Sequence, residues 1–138
     1  MESAVESSMQ IDVRTNERVD IVDVTADVAD AVPRDLEDGL CTAYVPHTTA
    51  GVIVNEREDR LLSDIEDALE RLVPRSEGYA HDAIDDNADA HLRATLLGES
   101  VTVPVVDGEL ALGTWQSILF VDCDGPRRRR LRVTTVSD

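Results

Sequence analysis

Apolar and polar residues alternate with period two over several short stretches of this chain, and only two long stretches carry helical spacing instead. Met9-Gln10-Ile11-Asp12-Val13-Arg14 alternates, as does Arg18-Val19-Asp20-Ile21-Val22-Asp23-Val24, and Asn16-Glu17 between them predicts a hairpin turn. Leu40 to Val45, Val52 to Val54, Val101 to Val106, Glu109 to Leu112, Trp115 to Asp122 and Arg128 to Val136 complete the predicted strands. Leu61, Leu62, Ile65, Ala68, Leu69 and Leu72 form one helical stripe, predicting a helix over Asp59–Val73 that Pro74 ends. A second helix is predicted over Ala88–Leu97, with Asn87 or Asp86 as cap and Gly98 as terminator. Thr25 is the expected cap of a short helix that stops near Pro33. Hairpin-linked strands with interspersed helices predict an α+β fold with a largely antiparallel sheet, two main helices and one short helix. One compact domain over residues 9–138 is expected behind a disordered acidic leader, residues 1–8.

The chain has 138 residues, enough for one core, and only 3% of them are aromatic. Val, Leu, Ile and Ala must fill the interior, and such a core is expected to lean on a subunit interface. No stretch approaches the roughly 20 apolar residues of a membrane helix, and the acidic N-terminus lacks a signal-peptide pattern. The expected location is cytoplasmic. Cys41 and Cys123 lack CxxC spacing and sit in apolar runs, as buried free thiols do.

Acidic residues number 29 against 13 basic ones, all of them Arg, for a net charge of −16. Such a chain repels itself in dilute salt, whereas at molar salt the screening length falls to about 3 Å. The excess is spread along the sequence, which points to a salt-rich, halophilic setting. The same charge argues against nucleic-acid binding. Alternate arginines of Arg127-Arg128-Arg129-Arg130 also point to opposite faces of an extended strand. Arg127, next to the Asp-Gly-Pro turn, could instead hold a phosphate bidentately.

All three histidines fall between positions 47 and 91. His47 opens His47-Thr48-Thr49-Ala50-Gly51 at the end of a predicted buried strand, where Thr48, Thr49 and backbone N–H groups could meet phosphate oxygens. The P-loop lysine and glycine spacing are missing, and no serine stands in a nucleophile-elbow context. His81 precedes the second helix and could fold back to its N-terminus. On that helix Asp89 and His91 diverge by roughly 160°, whereas His91 shares a face with Asn87. Three neutral imidazoles can form a Zn-like site, with Glu56 as fourth ligand or general base. Trp115 in Gly113-Thr114-Trp115-Gln116 is expected in the core, with Gln116 on the opposite strand face.

Taken in order, His47-Thr48-Thr49-Ala50-Gly51, Asn55-Glu56 with Asp59, His81, Asp86-Asn87-Ala88-Asp89-Ala90-His91, Gly113-Thr114-Trp115-Gln116 and Asp124-Gly125-Pro126-Arg127 resemble the YjbQ family, also called the secondary thiamine-phosphate synthase family. The resemblance spans about residues 10 to 136. It implies a compact α+β homotrimer with polar sites near subunit boundaries. It also implies a divalent-metal site of His47, His81 and His91. The implied activity joins hydroxymethylpyrimidine diphosphate to thiazole phosphate and releases pyrophosphate. On this expectation the catalytic set is His47, Glu56, Asp89 and His91, and Thr48, Thr49, Asn87, Gln116 and Arg127 bind a small phosphorylated metabolite. Histidines favour Zn²⁺, whereas diphosphate chemistry favours Mg²⁺, so the metal stays open among Zn, Mn and Mg. The chain departs from the family pattern at Asp122-Cys123, where Glu followed by an aromatic residue is expected. The competing expectations are a trimeric metal- or metabolite-binding protein without turnover, and a metal-dependent phosphohydrolase.

Overall fold

The computed structural model describes residues 6–138. Its strands are β1 (Glu6–Arg14), β2 (Asp20–Asp23), β3 (Gly39–Tyr44), β4 (Ala50–Asn55), β5 (Ser100–Val106), β6 (Glu109–Leu110), β7 (Ser117–Asp122) and β8 (Arg128–Ser137). The helices are α1 (Thr25–Asp30), α2 (Asp59–Leu72) and α3 (Ala88–Leu97), with one 3₁₀ turn at Ala80–Ala83. The fold is α+β, and every strand pair described is antiparallel.

Five strands form one sheet in the order β1-β8-β3-β5-β6, and three form a second in the order β2-β7-β4. β7 explains the layering, because Ile118 to Asp122 are all buried. Ile118 and Phe120 face the five-stranded sheet and join Val13, Cys41, Ala43, Val103, Leu131 and Val133. Val121, with Cys123 just beyond the strand, faces the other way, into Leu69 of α2 and Ala90 of α3. A strand buried on both faces cannot alternate with polar residues, so its sequence is a near-continuous apolar run. Burying Phe120 alone contributes about 1.5–3 kcal/mol of transfer free energy.

The hairpin expected around Asn16-Glu17 does not form. β1 pairs with β8 from Glu6↔Val136 to Arg14↔Arg128, whereas β2 pairs with β7 in the other sheet. The linking residues lie over the turn after β7, where Thr15 N donates to Arg127 O at 2.9 Å and Gly125 N to Arg18 O at 2.9 Å. Period two marks a half-buried strand but not its partner, and here both partners lie about a hundred residues downstream. β1 begins at Glu6, inside the segment expected to be a leader; residues 1–5 lie outside the described residues.

Two cap expectations are also corrected. The Thr25 hydroxyl does not cap α1; it donates to Asp23 Oδ1 at 2.6 Å and accepts from Ile118 N at 2.8 Å, tying the helix to β7. Asn87 stands at the N-cap position of α3 without a side-chain capping bond, and Asp82 Oδ1 accepts from Ala88 N instead. Gly98 does end α3, at φ 92°. Trp115 is not core: it lies in a turn before β7 and is 73% exposed. The outer face of the five-stranded sheet leaves Leu40, Tyr44, Val106 and Val136 exposed. No helix among the described residues is long and apolar enough to cross a membrane.

Candidate functional site

The loop from β3 to β4, the 3₁₀ turn, the start of α3 and the turn from β7 to β8 meet at one end of the three-stranded sheet. There His47, Thr48, Thr49, His81, Ile84, Asp85, Asn87, His91, Asp124, Arg127 and Arg129 line an open depression of about 470 Å³. All three histidines of the chain are among them.

Beneath one wall lies a buried ion pair. Asp122, fully buried, accepts from Arg129 Nε at 3.0 Å and Nη2 at 2.7 Å, and from the Thr15 hydroxyl at 2.6 Å. Burial alone would raise the Asp122 carboxyl, but the Arg129 and Thr15 hydrogen bonds more than reverse it, and it sits below the ordinary carboxylate range. Arg129 Nη2 also donates to Thr49 Oγ1 at 2.8 Å. That bond occupies an oxygen lone pair of Thr49 and leaves its O–H proton to donate elsewhere. The shorter carboxylate where Glu was expected thus closes a tight bidentate pair. Cys123, where an aromatic was expected, fills the second core as a thiol pushed up to about 12 by burial.

Hydrogen bonding fixes two histidine tautomers. The Arg130 backbone N–H donates to His47 Nε2 at 2.9 Å. An N–H can only donate, so neutral His47 carries its proton on Nδ1. Burial and the nearby Arg129 charge lower the His47 pKa, which keeps the ring neutral. His81 has the opposite arrangement. Asn87 Nδ2 donates to Asp124 Oδ2 at 3.0 Å, so Asn87 Oδ1 faces His81 Nε2 at 3.1 Å as an acceptor. Neutral His81 therefore donates from Nε2 and holds its lone pair on Nδ1. Arg127 closes the network, with Nη2 3.2 Å from Asp124 Oδ2 and Nε 2.8 Å from Asp124 O. His91 packs against His81 edge to face, with ring centroids 4.7 Å apart.

A metal centre of His47, His81 and His91 requires an unprotonated nitrogen from each ring. His47 Nε2 is already occupied, and no three His, Cys, Asp or Glu side chains among the described residues are placed to hold a metal ion. The donor set does not fit a three-histidine centre in this arrangement.

Three residues expected at the site lie elsewhere. Asp89, 1% exposed, pairs with Arg18 at 2.8 and 3.0 Å and stands 3.4 Å from Arg93 Nη1. Arg93 also donates to Val73 O at 2.9 and 3.1 Å, so Asp89 clamps α3 to the end of α2 and does not reach the depression. Glu56 and Gln116 sit beyond the opposite end of the sheet. Ala50 faces Asp122 at the histidine end, while Asn55 faces Ser117 at the other, five steps or about 17 Å away. Gln116 Oε1 there accepts from Gly113 N at 2.8 Å.

Gly51, in the loop expected to offer backbone N–H groups to phosphate, serves packing. A Cβ there would stand 2.7 Å from both Gly98 O and Leu97 Cβ, so α3 could not close on β4. Asp85, Asp124 and Arg129 were not assigned to the site from sequence. Asp124 had a signal in the Asp-Gly-Pro-Arg turn; Asp85 and Arg129 were masked by the surrounding charge.

A family model described as "UPF0047 protein YjbQ-like" matches residues 9–138. A UPF0047 protein of Archaeoglobus fulgidus is 54% identical over 125 residues, covering 91% of this chain and 98% of that one. The crystal structure of a YbjQ-like protein of unknown function from Sulfolobus solfataricus P2 aligns with TM-score 0.95 at 36% identity, covering 99% and 100% of the two chains. That of a hypothetical protein from Aeropyrum pernix K1 aligns with TM-score 0.92 at 41% identity, covering 96% and 99%. Matched along nearly its whole length by model, relative and structure, the chain belongs to the YjbQ-like UPF0047 family.

Proposed function

We propose that the histidine-lined depression is an active site for a small phosphorylated metabolite, with thiamine-phosphate synthase-like turnover. The observation that carries this reading is the chain His81 Nε2–H to Asn87 Oδ1 and Asn87 Nδ2–H to Asp124. A histidine held by one nitrogen and oriented by an amide and a carboxylate is ready to accept or return a proton at the other. Arg127, the Thr48 and Thr49 hydroxyls and His47 Nδ1–H supply donors suited to phosphate oxygens, with Asn87 holding His81 in place.

In the synthase reaction the thiazole nitrogen forms a bond to the pyrimidine methylene carbon. The carbon–oxygen bond to the diphosphate breaks, and pyrophosphate leaves with the electron pair. The barrier lies in charge gathering on that leaving group, which the donors and a protonated histidine would stabilise. Arg127 and Arg129 are offset by Asp85 and Asp124 among the lining residues, so the diphosphate has to enter with its charge partly neutralised, as its Mg²⁺ salt.

The test is thiamine-phosphate formation from the two substrates with Mg²⁺, in wild type, His81→Ala and His91→Ala. The expected result is turnover in wild type and a loss of about 100-fold or more in each variant. Phosphate release from generic phosphoesters without carbon–nitrogen bond formation would replace the reading with a phosphohydrolase. Tight metabolite binding without turnover would replace it with a binding protein.

Two further expectations belong to the same proposal. A homotrimer is supported by the uncovered apolar residues of the five-stranded sheet, and light scattering in high salt checks it, a monomer overturning it. A cytoplasmic location is supported by two buried, unpaired cysteines; recovery outside the cytoplasm on fractionation would remove it.

A further inference from the structure

His81 and His91 border two depressions. Beside the polar one, the same two rings join Tyr79, Ala80, Ala88 and Leu92 around a second depression of about 470 Å³. Its character is different. The Tyr79 hydroxyl is already donated to Pro74 O at 2.7 Å, and the Ala88 N–H to Asp82. What remains to face a ligand is carbon: the Tyr79 ring, two alanine methyls and the Leu92 side chain. Leu92 is 43% exposed although it stands on a helix whose neighbours Ala90 and Arg93 are buried.

We propose that the two depressions are the two halves of one ligand site, taking a phosphorylated small molecule whose other half is a flat, largely apolar ring. The phosphate lies among Arg127, Thr48, Thr49 and His47, and the ring lies against Tyr79 and Leu92. The atoms joining them then cross the His81–His91 pair, the only residues common to both linings among the described residues. Each half is of the size that small-molecule sites occupy, and the pairing of an apolar wall with a few convergent polar groups is what such sites use for orientation. This rests on reading the polar depression as a phosphate site, and it adds where the ring of that ligand lies. It also gives the histidine pair a reason to stand where it does, beside the bond between ring and phosphate and not beside the terminal phosphate oxygens.

The test measures binding of methyl phosphate and phenyl phosphate by calorimetry, using the full chain in molar salt. Wild type, Leu92→Asn, Ala80→Asn and Arg127→Ala are compared. Phenyl phosphate is expected to bind about tenfold tighter than methyl phosphate to wild type, from burial of one ring face. Leu92→Asn is expected to erase that preference while methyl phosphate binding stays the same. Ala80→Asn replaces it should the helix variant fail to fold, with the same expectation. Arg127→Ala is expected to weaken both ligands. If neither ligand binds wild type, the phosphate reading fails and this inference with it. If both bind wild type equally, or Leu92→Asn keeps the preference, the two-halved site alone is overturned.

Discussion

The two ends of the three-stranded sheet carry equally distinctive sequence yet differ in structure. At one end His47-Thr48-Thr49, His81, Asn87, His91, Asp124 and Arg127 share a depression, and His81, Asn87, Asp124 and Arg127 a hydrogen-bonded network. At the other, Asn55-Glu56 and Trp115-Gln116 close only on local backbone, Asn55 Oδ1 accepting from Glu56 N and Gln116 Oε1 from Gly113 N. The difference teaches that unusual wording marks constraint without naming its kind. Only the histidine end joins side chains from separate elements over a buried ion pair, which fixes the functional groups above it.

That ion pair gives the largest expected effect. Arg129→Met leaves Asp122 buried without its partner and should cost about 3–5 kcal/mol, read as a fall in the urea midpoint at constant slope. Gln116→Ala, at the exposed end, should stay within about 0.5 kcal/mol. Equal losses at both ends would erase the contrast.

Acid should separate the ends next. Asp122 and Asp89 are depressed below the ordinary value of 3.8, each by arginine and other hydrogen bonds that outweigh burial. Their unfolded forms bind protons first, so the stability they contribute is present above about pH 4 and is lost as pH falls through the folded values. His47, lowered from 6.5, adds a smaller loss that begins as pH drops below 6.5. The measurement belongs in molar salt, because acid also relieves the repulsion of a chain at −16 and would mask the loss in dilute buffer. A urea midpoint flat from pH 7 to 3 would contradict all three assignments. At neutral pH, transfer from molar to millimolar salt should itself lower the midpoint.

Much of the fold was legible in the chain, because apolar spacing reports directly on burial. The α2 and α3 spans and most strands follow from it. Strand partners do not, since β1 and β2 read alike and enter different sheets. The site was half legible. The histidines, Thr48, Thr49, Asn87 and Arg127 were visible as motif residues and do converge. Asp89 was expected in the catalytic set as a carboxylate inside the Asp86–His91 motif, whereas its helix turns it onto Arg18 and Arg93. Asn87 looked like a cap, and only the structure shows that Asp82 takes that task and leaves the amide to hold His81.

The catalytic contrast is the next smaller effect. Asn87→Ala cuts the link between His81 and Asp124 without removing the histidine, so activity should fall about 10- to 100-fold. A shift in the pH profile should accompany that fall, since the His81 tautomer is no longer fixed. Loss of activity with an unchanged profile would make Asn87 a merely structural residue.

The smallest expected effect is the most discriminating. Glu56→Gln and Gln116→Ala should change kcat/KM less than about twofold, well under the cost of losing a transition-state contact. Both residues lie about 17 Å along the sheet from the depression, too far for a side chain of the same subunit to bridge. A large loss in either would therefore mean that the far end of one subunit reaches the histidine end of another, or that the substitution disturbs the fold of its own chain. Mixing inactive Glu56→Gln with inactive His91→Ala chains would then decide the matter. Recovered activity would mean sites shared between subunits, whereas no recovery would return Glu56 to a role within its own chain. With no effect in either variant, the Asn-Glu and Trp-Gln motifs belong to the turns they close, and the proposed turnover belongs to one end of the sheet.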